Sequence, residues 1–269
     1  MENKAYAAAL DAAAEKFKKI LEGQLARIED MKSQGDFTDY SKLDTIKIGI
    51  CGGDGIGPII SAEASEVLKF ILSDLEASGK VKFINIEGLT LENRIKAGKG
   101  IPDDVMEELK KCDIILKGPT TTPQKGSGMP NIESANVAMR KALDLFANIR
   151  PVKVPEEGIN WTIFRENTEG GYAVGSLGYN VTDDLAVDFT ITTKQGSDRI
   201  ARLAYDYARK NGFTRVSLVT KANVIKTTDG NFLEDCHKVA KLYPEITTDE
   251  WYADIMTAKL VDKKRRRGF

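Results

Sequence analysis

Arg140, Arg150 and Arg165 fall in one short tract of the sequence, each at the end of a largely apolar segment. A guanidinium fork matches a carboxylate in two-point geometry. Taken singly, each arginine would be an ordinary surface residue; together they suggest a convergent site for a ligand with several carboxylates. Two polar residues precede them. Ser134 is a natural N-cap, and Asn136 lies four positions before Arg140, so the two share a helix face. Arg150 stands in "KALDLFANIRPVKV" (141–154), where helical spacing of Ala142, Leu143, Leu145 and Phe146 gives way to an extended run. A charged residue at that helix-to-strand junction is either solvated or aimed at an anion. Arg165 ends the apolar strand "WTIFRE" (161–166).

Such a cluster needs a rigid frame, and the hydrophobic period supplies one. Residues 5–32 repeat Ala, Leu, Ile and Phe at helical spacing among Lys and Glu, which predicts an amphipathic helix. A polar connector (33–44) follows. Then come strand-like "TIKIGIC" (45–51), a glycine loop "GGDGIG" (52–57), and a helix from Pro58 to about Ser78. "VKFINIE" (81–87) and "DIILKGP" (113–119) read as further strands. Strand and helix in alternation predict a parallel α/β sheet. The glycine loop has the outline of a dinucleotide fold, but its spacing is G-x-G-x-G with Pro58 behind it, and Glu87 lies later than the usual acidic residue. A tight turn that lets a helix pack on its strand explains it at least as well.

Bulk composition removes other classes. Thirty-nine Lys and Arg against 40 Asp and Glu leave a net charge of −1, so no overall field favours nucleic acid or an anionic membrane. No stretch approaches the length of a membrane span, and the N-terminus lacks the build of a signal peptide. Cys51, Cys112 and Cys236 are far apart and odd in number, as expected of buried thiols in a reducing compartment. Cytoplasmic localisation is the expectation.

From the glycine loop onward the sequence resembles the isocitrate/isopropylmalate dehydrogenase family of metal-dependent β-decarboxylating oxidoreductases. The stretches that carry the resemblance are "GDGIG", "KGP-TTP", "SANVAMRKALDLFANIRP", "FRENTEGGY" and "VTKANVIKTTDGNF", in family order from about residue 45 to 261. The resemblance implies a two-lobed α/β fold, with an open sheet, helices on both faces, and the C-terminal part of the large domain missing. It divides the chain into an N-terminal helical extension and connector (1–44), the first part of the large domain (45–145), and a small dimer-forming domain (146–269) with a clasp region at about 170–193.

Residue by residue, the resemblance makes Arg140, Arg150 and Arg165 the substrate-carboxylate arginines, so Arg150 points at an anion. Tyr172 matches the tyrosine that protonates carbon in the last step, and Lys221 a catalytic lysine thought to work from the neighbouring subunit. Asn223 matches an asparagine near the nicotinamide, and Thr121 and Thr122 line the cofactor–substrate cleft. Asp254 matches a metal aspartate lent between subunits. The implied cofactors are Mg²⁺ or Mn²⁺ and NAD or NADP. The implied partners are a small tricarboxylate and a second copy in a homodimer with shared active sites, with no nucleic acid and no membrane.

The chemistry explains these types. Hydride leaves C2 of a 2-hydroxy acid for nicotinamide, the β-keto acid loses CO2, and a metal acting as Lewis acid stabilises the enolate. A phenol or ammonium group ordinarily titrates near 10, so proton transfer at neutral pH asks for a charged, desolvated site. Ser134 and Asn136 favour isocitrate, as hydrogen-bonding partners of its third carboxylate; relatives acting on isopropylmalate place apolar residues there. The reading is oxidative decarboxylation of isocitrate to 2-oxoglutarate, a tricarboxylic acid cycle reaction. Another β-decarboxylating dehydrogenase, such as isopropylmalate dehydrogenase, or a non-catalytic subunit or fragment are the alternatives. Two departures stand out. Loop 124–133 is longer than the family's. The chain stops at "KKRRRGF", where the family continues into two further metal aspartates and the adenine-binding segment, so the chain alone is expected to be inactive and to expose apolar surface.

Overall fold

A computed structural model describes residues 2–33, 35, 38–123, 126, 128–130, 132–174 and 177–262, with side chains from Tyr6 onward. The terminal basic run and parts of loop 124–133 and of the clasp therefore lie outside the described residues. The chain divides into two units: Gly35–Asp144, and Met1–Gln34 together with Leu145–Phe269. The N-terminal helix, α1 (Glu2–Ser33), belongs with the second.

In the Gly35–Asp144 unit, β1 (Ile46–Cys51) leads through the glycine loop into α2 (Gly57–Ile71). Pro58 sits in the first turn of α2, where its missing N–H costs nothing. The helix predicted to reach Ser78 breaks at Leu72 and resumes as α3 (Ser73–Ala77). Then follow β2 (Val81–Asn85), α4 (Leu91–Ala97), α5 (Asp103–Lys110), β3 (Ile114–Lys117) and α6 (Ala135–Ala142). The three strands are parallel in the order β2-β1-β3. Cys51, Ile86, Leu89, Val105, Leu109 and Met139 are part of the core. Fully buried Leu109 alone contributes roughly 1.5–3 kcal/mol. The outer side of α2 is not covered: Ile59, Val67, Phe70 and Ile71 are exposed.

In the other unit, β4 (Ala147–Val154) and β5 (Ile159–Glu166) form an antiparallel hairpin in which Ala147 faces Glu166. Pro151 is tolerated in β4 because a two-stranded sheet leaves every strand an edge. A short helix, α7 (Gly171–Val174), precedes two-residue strands β6 (Tyr179–Asn180) and β7 (Ala186–Val187), which pair within the predicted clasp. Next come α8 (Lys194–Asn211), β8 (Arg215–Thr220), α9 (Thr228–Ala240), β9 (Thr247–Tyr252) and α10 (Ala253–Val261), with β8 and β9 parallel. Tyr205, Ala208, Leu218, Cys236, Val239 and Tyr243 are among the residues of this unit's core.

One local reading needs correction. The helix of the 141–154 tract ends at Ala142, and Asp144 turns the chain at φ 44°. Arg150 therefore lies inside β4 and not at a helix-to-strand junction. In α10, Met256 is buried and Leu260 half-buried, whereas Ile255 and Ala258 are exposed.

Candidate active site

In the Gly35–Asp144 unit the glycine loop packs backbone to backbone on the turn that follows β3. A Cβ at Gly53 would lie 2.0 Å from the Pro119 carbonyl oxygen, and Gly53 has φ +76°. Only glycine meets both demands. The loop's acid, Asp54, accepts from the backbone N–H of Leu91 (2.7 Å) and of Thr121 (2.9 Å), so it ties the candidate cofactor threonines to the loop. Thr121 and Thr122 are exposed just beyond β3.

Arg94 completes this frame. Its side chain is fully buried, 0% exposed, and donates to the carbonyls of Gly100 (2.7 Å), Thr121 (2.6 Å) and Glu133 (3.0 Å), with Asp54 at 3.9 Å. Thr121 precedes the long loop and Glu133 closes it, so one guanidinium fixes both ends. Ser134 follows at once as the N-cap residue of α6, but its hydroxyl makes no capping bond. Asn136 is exposed and Arg140 partly buried on that helix. Lys117 lies close by, donating to Gly118 O and Thr120 Oγ1. Burial pushes its ammonium below the ordinary value, and the cations of Arg94 and Arg140 push the same way.

In the other unit the hairpin register gathers the remaining arginines. Asn148 lies opposite Arg165, and Arg150 is two residues from Asn148, so all three side chains share one face of the β4–β5 ladder. Arg150 Nε donates to Asn148 Oδ1 at 2.7 Å, and Arg165 Nη2 to Asn167 Oδ1 at 3.1 Å. The Arg165 guanidinium also lies over the Tyr172 ring, 5.5 Å from its centroid. Tyr172 itself is 40% exposed at the start of α7. Two candidate carboxylate binders and the candidate proton donor are thus in one place.

Lys221 and Asp254 form a separate pair, Nζ to Oδ1 at 2.7 Å. The backbone N–H of Lys221 is held by Asp229 Oδ2 at 2.6 Å, which fixes the bend after β8; Asn223 is exposed in the same bend. The hydrogen bond from Lys221 holds the Asp254 carboxyl below its ordinary range. A divalent hard cation asks for several oxygen donors. Here one exposed carboxylate is offered, already paired with an ammonium, and among the described residues no group of three His, Cys, Asp or Glu could hold an ion. The residues present do not by themselves build a metal site.

Sequence reasoning missed Asp54, Arg94, Lys117 and Asn148. Asn148 carried a signal, two positions before Arg150 in an extended run. Arg94, within "LENRIKAG", had none: it looks like any cation on a helix surface.

A parallel sheet entered by a packed glycine turn, joined in one chain to an arginine-bearing hairpin followed by a tyrosine turn, defines an α/β protein. The chain belongs to the isocitrate/isopropylmalate dehydrogenase family, which matches residues 47–268. It is 36% identical over 224 residues to the isocitrate dehydrogenase (NADP) of Rickettsia bellii strain RML369-C, covering 80% of this chain and 44% of that protein. It is 35% identical to regulatory subunit 1 of the mitochondrial isocitrate dehydrogenase (NAD) of Arabidopsis thaliana, over 78% of this chain and 54% of that one. The homoisocitrate dehydrogenase of Methanocaldococcus jannaschii is 34% identical, over 80% and 63%. A crystal structure of isocitrate dehydrogenase from Methylococcus capsulatus matches with a TM-score of 0.66 at 34% identity, over 82% of this chain and 65% of that one. The chain spans about half the length of the curated relatives it matches.

Proposed function

We propose that this chain carries the substrate-binding and proton-transfer residues of an isocitrate dehydrogenase, working on a tricarboxylate with NAD or NADP. The observation that carries the reading is the shared face of Arg150 and Arg165 with Tyr172 held against Arg165. Guanidinium groups at that face bind carboxylates by paired, charge-assisted hydrogen bonds. In the Gly35–Asp144 unit, Ser134 and Asn136, ahead of Arg140 on α6, offer neutral hydrogen-bonding groups suited to a carboxylate, where an alkyl substituent would find none. Bound NAD or NADP would supply the hydride acceptor for C2. Tyr172 then delivers a proton to the carbon that has lost CO2, with the Arg165 guanidinium over its ring. Lys221 and Asp254 are presented together, as a pair, to the site of a second copy in a twofold dimer.

The test is titration of the chain with isocitrate, beside a variant carrying both Ser134→Leu and Asn136→Leu. The variant should bind isocitrate about 10²-fold more weakly, the scale on which a site loses a ligand whose polar group has no partner. Equal affinity would remove the substrate assignment.

A second reading is a non-catalytic subunit that binds the tricarboxylate without turnover. The relatives named as regulatory subunits favour it, at 34–36% identity. The presence of Tyr172 and Lys221 together favours the first.

A further inference from the structure

Helix α1 lies outside the residues that the family matches, which begin at Lys47. It nevertheless packs on the part of its unit that leads to Tyr172. Ile20 is buried, Phe17 stacks on Phe189 with ring centroids 4.9 Å apart, and Lys16 Nζ donates to the Gly178 carbonyl at 3.2 Å. Arg27 reaches furthest. Its Nη1 donates to Glu169 Oε1 at 3.1 Å and its Nη2 to Thr168 Oγ1 at 2.9 Å.

The two acceptors belong to a buried charge cluster. Glu166 accepts from the Thr168 N–H, the Thr168 hydroxyl and the Glu169 N–H. Glu169, 5% exposed at its side chain, accepts from both the N–H and the hydroxyl of Thr193. The Thr168 hydroxyl receives Arg199 Nη2 as well as Arg27, so its one donor and two acceptor positions are all used. Two nearly buried carboxylates thus face two guanidinium groups, Arg199 near Glu166 and Arg27 on Glu169. Without Arg27, Glu169 would have no ion-pair partner among the described residues, a costly state for a nearly buried carboxylate.

Glu169 is also the backbone anchor of Tyr172. The Tyr172 N–H donates to the Glu169 carbonyl, and Gly170 exchanges hydrogen bonds with Ile191. We infer that α1 is a positioning clamp built onto the family fold: through Arg27 it locks the 166–172 turn and so sets where the Tyr172 hydroxyl stands. Calling Tyr172 a proton donor rests on the proposed function; the clamp itself does not.

The test is residue-level amide hydrogen exchange on the whole chain, comparing the unchanged protein with Arg27→Gln and Arg27→Lys. Arg27→Gln should speed exchange at Gly170 and Tyr172 about tenfold or more, as expected when a buried carboxylate loses its cation. The amides of α9, in the same unit, should keep their rates. Arg27→Lys keeps the charge but loses the fork, so it should recover most of the protection while leaving Tyr172 a few-fold faster than in the unchanged protein. Unchanged exchange at Gly170 and Tyr172 in Arg27→Gln would overturn the inference. So would equal acceleration in α9, because α1 would then be merely a stabilising helix. Should Arg27→Gln fail to fold, Arg27→Lys decides alone: no change at Tyr172 rejects the clamp. None of these readings requires turnover, so a failed enzymatic assignment would leave them intact.

Discussion

Arg94 and Arg27 do comparable work in the two units with different partners. Arg94 is fully buried and directs its donors at three neutral backbone carbonyls, joining the two ends of the loop before α6. Arg27 is 23% exposed at its side chain and pairs with a carboxylate, holding a turn from one side. The first arrangement is part of the fold: remove it and three backbone acceptors lose their donor together. The second is an addition from another helix, and its removal leaves strands and core in place. Candidate residues in the Gly35–Asp144 unit are therefore fixed by the backbone frame, whereas the turn that carries Tyr172 is held by a balance of charge.

The sharpest way to break this comparison is Arg94→Met. Three backbone carbonyls lose their donor, the buried one of Gly100 among them, and Asp54 loses its nearby cation, so unfolding should become easier by about 3 kcal/mol or more. Urea unfolding measures it; a loss under about 1 kcal/mol would mean that water or a neighbour replaces the guanidinium. Arg27→Gln should cost the overall fold less than Arg94→Met in the same experiment, and the reverse order would undo the contrast.

The next effect concerns Lys221 and Asp254. If they serve a partner's site, then in a family member with turnover, mixing Asp254→Ala subunits with Tyr172→Phe subunits should partly restore activity. One site of the mixed dimer carries both lesions and the other neither. No recovery in proven heterodimers would place Asp254 in its own subunit's site or in none.

The last effect is confined to alkaline pH. Burial raises the Cys236 thiol from 9.0 to about 12, and burial with the Asp206 hydrogen bond raises the Tyr243 hydroxyl from 10.0 to about 12. Both folded-state values lie above the unfolded ones, so their contribution to stability is complete below about pH 9 and is lost as pH approaches 12. Cys236→Ala should flatten the stability profile across that window, whatever it does to stability at neutral pH. An unchanged slope would show that the thiol does not titrate there.

What could be read from sequence follows the range of the forces involved. Helix α1 was legible because its period runs through more than seven turns, and the strands because alternation of strand and helix is a local signal. The end of α6 was not. Leu143, Leu145 and Phe146 continue the helical spacing, but Leu143 packs on the core and Asp144 reverses the chain. The types of the arginine cluster were visible; that Arg150 and Arg165 share a face depends on hairpin register, which pairs Asn148 with Arg165. Arg94 and Arg27 were invisible because each sits on a helix among other charged residues. Their partners lie up to 142 residues away in sequence.

The account depends most on the arginine hairpin being a tricarboxylate site. Its direct measurement is calorimetric titration of this chain with isocitrate and with isopropylmalate, repeated on a variant carrying Arg150→Gln and Arg165→Gln. Isocitrate should bind at least about tenfold more tightly than isopropylmalate, and the double variant should lose about 10²-fold or more in isocitrate affinity, as charge-assisted bonds are removed. Equal binding of the two acids, or isocitrate binding indifferent to both arginines, would contradict it.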